Sequence, residues 1–189
     1  MKKLSLILTI ITLSNLYVLA QESGFGIKGG INLSTYKFSA SGISVTPDRA
    51  VKARIGVFYN NMINDQWAVQ FEGLYSGTGY KPESGSGIDK ITLNYIAFPV
   101  MFKYYASEKF NIHAGPELGF FLGGKADDED IDEGVKTIDL GLGIGAEISL
   151  ADNARLSARY TFGLVNTDDS DLGITQKSNN IELAILIGF

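Results

Sequence analysis

The sequence predicts an all-β fold: an eight-stranded antiparallel up-and-down transmembrane β-barrel, preceded by a cleaved signal peptide, in a chain of 189 residues. Three observations carry that expectation. First, in the closing stretch from Ser178 to Phe189, Ile181, Leu183, Ile185, Ile187 and Phe189 alternate with Asn180, Glu182, Ala184, Leu186 and Gly188. Successive side chains of a strand face opposite ways, so one face here is uniformly greasy and the other mostly narrow or polar, as suits lipid outside and a tight polar interior. Second, the same alternation recurs in seven earlier segments. Third, the connections between segments run long, short, long, short, long, short, long, the asymmetry of barrels with short periplasmic turns and long outer loops.

The amino terminus supplies an export signal. Lys2 and Lys3 precede an apolar stretch from Leu4, and Val18-Leu19-Ala20 places small side chains before Gln21. This pattern predicts a signal peptide over residues 1–20, cleaved after Ala20, and a barrel domain over residues 21–189. The apolar run is short and broken by Ser14 and Asn15, which argues against a membrane-anchoring helix. Cysteine is absent, which removes disulfides, thiolate metal sites, thiol catalysis and lipid acylation together, so an exported domain of this size needs another closure. A net charge of -5 without a basic patch argues against nucleic acid as a partner. Composition adds 22 Gly, 9 Tyr and 11 Phe against 4 Pro, which favours many tightly packed strands with aromatic belts.

The strands follow in order. The first covers about Gly24 to Lys37, with Phe25, Ile27, Ile31 and Leu33 outward and Lys28, Asn32 and Ser34 inward; a polar segment containing Gly42, Pro47 and Asp48 follows. The second, near Val51 to Asn61, turns Ala53, Ile55, Val57 and Tyr59 outward and Lys52, Arg54, Gly56 and Phe58 inward, and ends at Asn64-Asp65. The third sends Trp67, Val69, Phe71 and Tyr75 outward against Gln70, Glu72 and Ser76, and meets a glycine-rich loop from about Gly79 to Asp89. In the fourth, about Lys90 to Ala106, alternation breaks near Asn94 and resumes at Ile96, leaving Pro99 on the inner face as a candidate bulge.

After a turn at Ser107-Glu108-Lys109, the fifth strand holds Phe110, Ile112, Ala114, Leu118 and Phe120 outward and Asn111, His113, Gly115, Glu117 and Gly119 inward. An acidic loop spans Asp127 to Glu133. The sixth is the cleanest, with Ile138, Leu140, Leu142, Ile144, Ala146 and Ile148 against Asp139, Gly141, Gly143, Gly145 and Glu147. The seventh, after Asp152-Asn153, opposes Leu156, Ala158, Tyr160, Phe162 and Leu164 to Arg155, Ser157, Arg159, Thr161 and Gly163. A polar loop from Asn166 to Lys177 leads into the closing strand.

If the polar face is the lumen, it holds Lys28, Arg54, Lys103, Arg155 and Arg159 against Glu72, Glu117, Asp139, Glu147 and Glu182. The charges balance, and buried charges must be paired or hydrogen-bonded. An eight-stranded barrel has an interior just wide enough for side chains to fill. The expectation is a charge network that plugs the lumen. A narrow ion or small-solute channel is the first alternative.

An outer-membrane lipid-modifying enzyme is the second. It would need His113, the single histidine, beside a serine such as Ser157 and an acid such as Glu117. No nucleophile elbow is present, and Gly143-Ile144-Gly145 is simple alternation. The Asp127 to Glu133 run lacks calcium-loop spacing, so a solvated loop tip is expected there. No catalytic, cofactor or metal site is assigned. The expected partners are outer-membrane lipids and lipopolysaccharide, a protein partner at the extracellular loops, and the barrel-insertion machinery, which reads a closing strand ending in Phe189.

Two segments carry a family likeness. Phe25-Gly26-Ile27-Lys28-Gly29-Gly30-Ile31-Asn32-Leu33-Ser34 resembles the opening strand of PorT-type outer-membrane beta-barrel proteins of Bacteroidetes. Leu93-Asn94-Tyr95-Ile96-Ala97-Phe98-Pro99-Val100-Met101-Phe102-Lys103-Tyr104 is similar to their central strand, with Ala97 where an acidic residue is common. The resemblance extends over the mature chain and implies an outer-membrane barrel. Its motifs define a fold and no activity; the member that names the family is linked to type IX secretion.

Overall fold

The computed structural model describes residues 23–82, 87–127, 129–131, 134–169 and 173–189. The expected signal peptide lies outside the described residues. In chain order the strands are β1 (Gly24–Ala40), β2 (Ile43–Val45), β3 (Asp48–Met62), β4 (Trp67–Lys81), β5 (Ile91–Ser107), β6 (Phe110–Ala126), β7 (Glu129–Ile131), β8 (Ile138–Ala151), β9 (Ala154–Gly163) and β10 (Thr175–Gly188).

Eight long strands run antiparallel in the order β1, β3, β4, β5, β6, β8, β9, β10, and β10 pairs back onto β1 from Gly26–Gly188 to Ser39–Thr175. The sheet is therefore closed and the barrel has no free edge. The short strands β2 and β7 extend it at one end, on β1 and β6 respectively.

Closure fixes which face is which. Phe25, Ile55, Val57, Phe102, Ile144 and Ile185 are exposed, while Lys28, Arg54, Lys103, Arg159 and Glu182 are buried. A soluble protein does not leave so large an apolar surface in water. Lipid is the solvent that fits, and backbone polar groups satisfied around a closed sheet allow the barrel to cross it. Aromatic pairs gather at the end carrying the termini, with Phe25 and Tyr59 at 4.7 Å and Trp67 and Tyr104 at 4.9 Å between ring centroids. Tyr and Trp favour the boundary between hydrocarbon and water, where an apolar ring and a polar tip are both accommodated.

The structure corrects the sequence reading at the other end. The polar segment after the first strand is a hairpin: β1 continues to Ala40 and turns at Ser41 and Gly42 into β2. Both turn residues have positive φ, 50° and 83°, the backbone whose twist matches a two-residue hairpin. The glycine-rich loop begins later than Gly79, because β4 runs to Lys81. Within the acidic loop, Glu129–Ile131 pairs back onto Gly124, Lys125 and Ala126. The last long loop is shorter than Asn166 to Lys177, since β10 starts at Thr175. Beyond the bilayer the outer face of a strand meets water in place of lipid, so the alternating pattern fades although the ladder continues.

Two irregularities also move. Alternation does not break at Asn94: Leu93 and Tyr95 both point inward, and the Tyr75 hydroxyl donates to Asn94 Oδ1 at 2.7 Å. The bulge lies on the facing strand, where Asn94 pairs Gly123 and Tyr95 pairs Phe121, leaving Leu122 as the extra residue. Pro99 shifts no register, because Phe71–Val100 and Leu74–Ala97 flank it in step. A missing donor interrupts the ladder there without bending it.

Candidate functional site

Among the described residues the lumen is where the fold concentrates charged and polar side chains, and strand alternation delivers them. Glycines on the inner face make the room. A Cβ on Gly145 would meet His113 Nε2 at 2.5 Å and the Ala158 carbonyl at 2.4 Å, and one on Gly143 would press Arg159 Cδ at 3.2 Å. Long side chains from neighbouring strands thus lie over a nearly bare wall.

The charges stack in tiers. Nearest the termini, Lys103 Nζ donates to Glu147 Oε1 and Oε2 at 2.9 and 2.7 Å and to Gln70 Oε1 at 2.6 Å. Asn111 Nδ2 donates to Glu147 Oε2 at 3.1 Å, and Arg155 Nε stands 3.8 Å from the same oxygen. Arg155 also donates to the Tyr105 hydroxyl at 3.2 Å, and its guanidinium lies 5.7 Å from the Phe58 ring centroid. Gln70 joins this tier to the next, donating Nε2 to Glu72 Oε1 at 2.6 Å.

In the middle tier, Lys28 Nζ bridges Glu72 at 3.0 Å and Glu182 at 2.6 Å. Arg159 forks onto Glu72, with Nη2 to Oε1 at 2.6 Å and Nη1 to Oε2 at 3.1 Å, and its Nε lies 4.0 Å from Glu182. Arg54 pairs Glu182 at 2.6 Å and Glu117 at 2.7 Å, and donates to Ser76 Oγ at 3.1 Å. Nine of the ten residues read from the sequence as lumen charges thus share one mesh. Asp139 stands apart, with no ion pair to any described residue; it has a hydrogen bond from Ser178.

His113 is held inside this mesh. Arg159 Nε donates to His113 Nε2 at 3.2 Å, so that nitrogen is the acceptor and the ring proton sits on Nδ1, 3.9 Å from Glu147 Oε1. A nitrogen whose lone pair is already taken is a poor general base. Ser157 is buried with its hydroxyl unpartnered, and Glu117 is committed to Arg54. The serine, imidazole and acid that an enzyme would need are not assembled. Among the described residues no cluster of three metal-ligating side chains occurs.

Sequence reasoning placed Gln70 and Asn111 on the inner face without seeing that they link the charges; an amide among alternating lumen positions was the available signal. It missed the outer cap entirely. There Tyr36, Leu93 and Tyr95 form a buried cluster with Phe38, Tyr80 and Phe121 around it. Phe38 and Tyr80 lie 5.1 Å apart and Tyr95 and Phe121 5.5 Å apart, in tilted or edge-on geometry. The Tyr36 hydroxyl is tied to Thr78 Oγ1 at 2.9 Å. The lumen is therefore filled by charge in its lower and middle parts and by aromatic rings above.

A closed eight-stranded barrel, apolar outside and charged within, with its termini at the end of short turns, defines a small outer-membrane barrel. Residues 19–169 match the model of the outer membrane protein beta-barrel domain, and the chain belongs to that family. Neisserial surface protein A (NspA) is similar in structure, with a TM-score of 0.64 and 21% identity over 88% of this chain and 98% of that one. Ail, the attachment invasion locus protein of Yersinia pestis, aligns with a TM-score of 0.55 and 16% identity over 89% of this chain and all of that one. No curated protein matches the chain.

Proposed function

We propose that this protein is a non-conducting outer-membrane barrel that works as a structural or interaction protein through its extracellular hairpins and loops. The observation that carries the reading is the filled lumen: Lys28, Arg54, Lys103 and Arg159 are almost wholly buried in ion pairs, beneath a cap of packed rings. Such a mesh leaves no continuous water column. The parts left to act are those that project, above all the β1–β2 hairpin and the β6–β7 turn. Its outer half stands among lipopolysaccharide and other outer-leaflet lipids, and its partner is a protein met at the cell surface.

The likeness of the opening and central strands to PorT-type barrels supports placing the chain in that branch, from a Bacteroidetes source, and the basic start and apolar run of residues 1–20 support export by a signal peptide cleaved after Ala20. The residues carrying that likeness serve the barrel wall, lumen and cap, so they supply no activity. No catalytic role is proposed, since the His113 lone pair is occupied.

The test is single-channel recording from residues 21–189 refolded into planar bilayers. Folded protein is expected to be silent. Steady discrete conductance would overturn the reading and put the narrow channel first.

A further inference from the structure

Between the ion-pair mesh and the aromatic cap lies a partly open cavity of about 20 Å³, lined by Asp139, Glu117, Tyr95, Thr78, Thr161 and Ser178 together with alanine and glycine positions. It is too small for an organic ligand and large enough for one occupant the size of a water molecule. Two buried polar atoms at this cavity are unsatisfied. Asp139 Oδ1 has no hydrogen-bond partner, and neither does the hydroxyl of Tyr95, a residue only 3% exposed. The Tyr95 hydroxyl lies beside that of Tyr36 without forming a well-aligned hydrogen bond. A buried hydroxyl and a buried carboxylate oxygen left unmatched each cost free energy that a bound guest would recover.

Charge says what kind of guest fits. Glu72, Glu117, Glu147 and Glu182 each have an arginine or lysine within 2.7 Å, whereas Asp139 has no cationic partner among the described residues. Glu117, the other carboxylate at the cavity, is already neutralised by Arg54. The cavity therefore offers one carboxylate with no ion pair to any described residue, and several hydroxyl oxygens beside it. Hard oxygen donors of this kind suit alkali and alkaline-earth cations rather than thiophilic metals. A single free carboxylate, in a space for one small guest, selects a single positive charge.

We propose that the cavity beneath the aromatic cap is a binding site for a small monovalent cation of sodium size, held by Asp139 and completed by Tyr95 and neighbouring hydroxyls. The ion acts as the local counter-charge of Asp139. It ties β8, which carries Asp139, to β5, which carries Tyr95, and so fastens the outer third of the barrel. This role is independent of whether the hairpins bind a partner.

The experiment is thermal unfolding of the refolded chain in detergent at fixed ionic strength, with choline chloride replaced stepwise by sodium chloride. The wild-type midpoint is expected to rise by several degrees and to saturate. Asp139→Asn, which keeps the shape and removes the charge, is expected to fold and to lose most of that sodium-dependent increment. Tyr95→Phe is expected to shift the sodium titration to higher concentration, with the cap otherwise packed as before. The same wild-type midpoint in sodium and choline would overturn the proposal, the cavity then holding water only. An undiminished sodium response in Asp139→Asn would overturn it equally, and so would stabilisation by calcium with none by sodium.

Discussion

Arg159 and Glu72, separated by 87 residues in sequence, meet across the barrel as a two-pronged ion pair, Nη2 to Oε1 at 2.6 Å and Nη1 to Oε2 at 3.1 Å. Glu72 also takes Lys28 at 3.0 Å and the Gln70 amide at 2.6 Å, so one carboxylate satisfies donors from β1, β4 and β9. Both partners are buried, and the geometry is the planar fork that guanidinium and carboxylate share.

Glu72→Gln should therefore be severe. The amide preserves the volume but leaves Arg159 and Lys28 with one less counter-charge, and breaking a buried pair costs about 3–5 kcal/mol. The chain has a single tryptophan, Trp67, on the lipid-facing surface, so its fluorescence reports unfolding in denaturant. A loss smaller than about 1 kcal/mol would show that the pair contributes no more than an exposed surface ion pair does.

Lys37 and Lys177 are direct cross-strand partners on β1 and β10, and both are exposed. Like charges placed opposite each other are destabilising by roughly 0.2–1 kcal/mol. Lys37→Glu should accordingly raise the unfolding free energy by about that amount in zwitterionic detergent at low ionic strength. The gain should fade in about 1 M salt, where the Debye length falls to about 3 Å. A gain that survives high salt would rule out the electrostatic explanation.

The amide of Phe189 donates to the Phe25 carbonyl at 2.9 Å, and its ring is exposed on the apolar face. One hydrogen bond at a fraying end matters little once the barrel has formed. Deleting Phe189 is expected to leave refolding in detergent within about 1 kcal/mol of wild type, the typical net worth of one hydrogen bond. The same deletion should lower several-fold the amount reaching the outer membrane in cells, measured by membrane fractionation. Equal accumulation of both forms would remove the terminal ring as a recognition signal.

The alternating strands made the barrel and its inner charges readable, because lipid demands apolar residues at every second position and the lumen demands polar ones. Lys28, Glu72 and Glu182 were each legible as inward residues. Their partnership was not, since it depends on strand tilt and on how far each side chain reaches across the interior. The bulge at Leu122 was hidden because Phe121 and Leu122 are both large and apolar, and either could face lipid. The cap escaped for a related reason: Tyr36, Leu93 and Tyr95 are apolar residues on the face read as polar. Asp139 was legible as a lumen charge, whereas its isolation from the described lysines and arginines is visible only in three dimensions.

The seam between β1 and β10 has a consequence in time. The first strand of the barrel finds one of its two neighbours only when the last has been made, so closure waits for the whole chain. Until then β1 carries one unsatisfied edge, and lysines and glutamates destined for each other remain strangers in water. Such an intermediate is apolar on one side and open at its edges, and it invites aggregation. A chaperone that shields the chain in transit, and releases it only at the membrane, would be protecting a lock whose bolt and socket lie at opposite ends of the polypeptide.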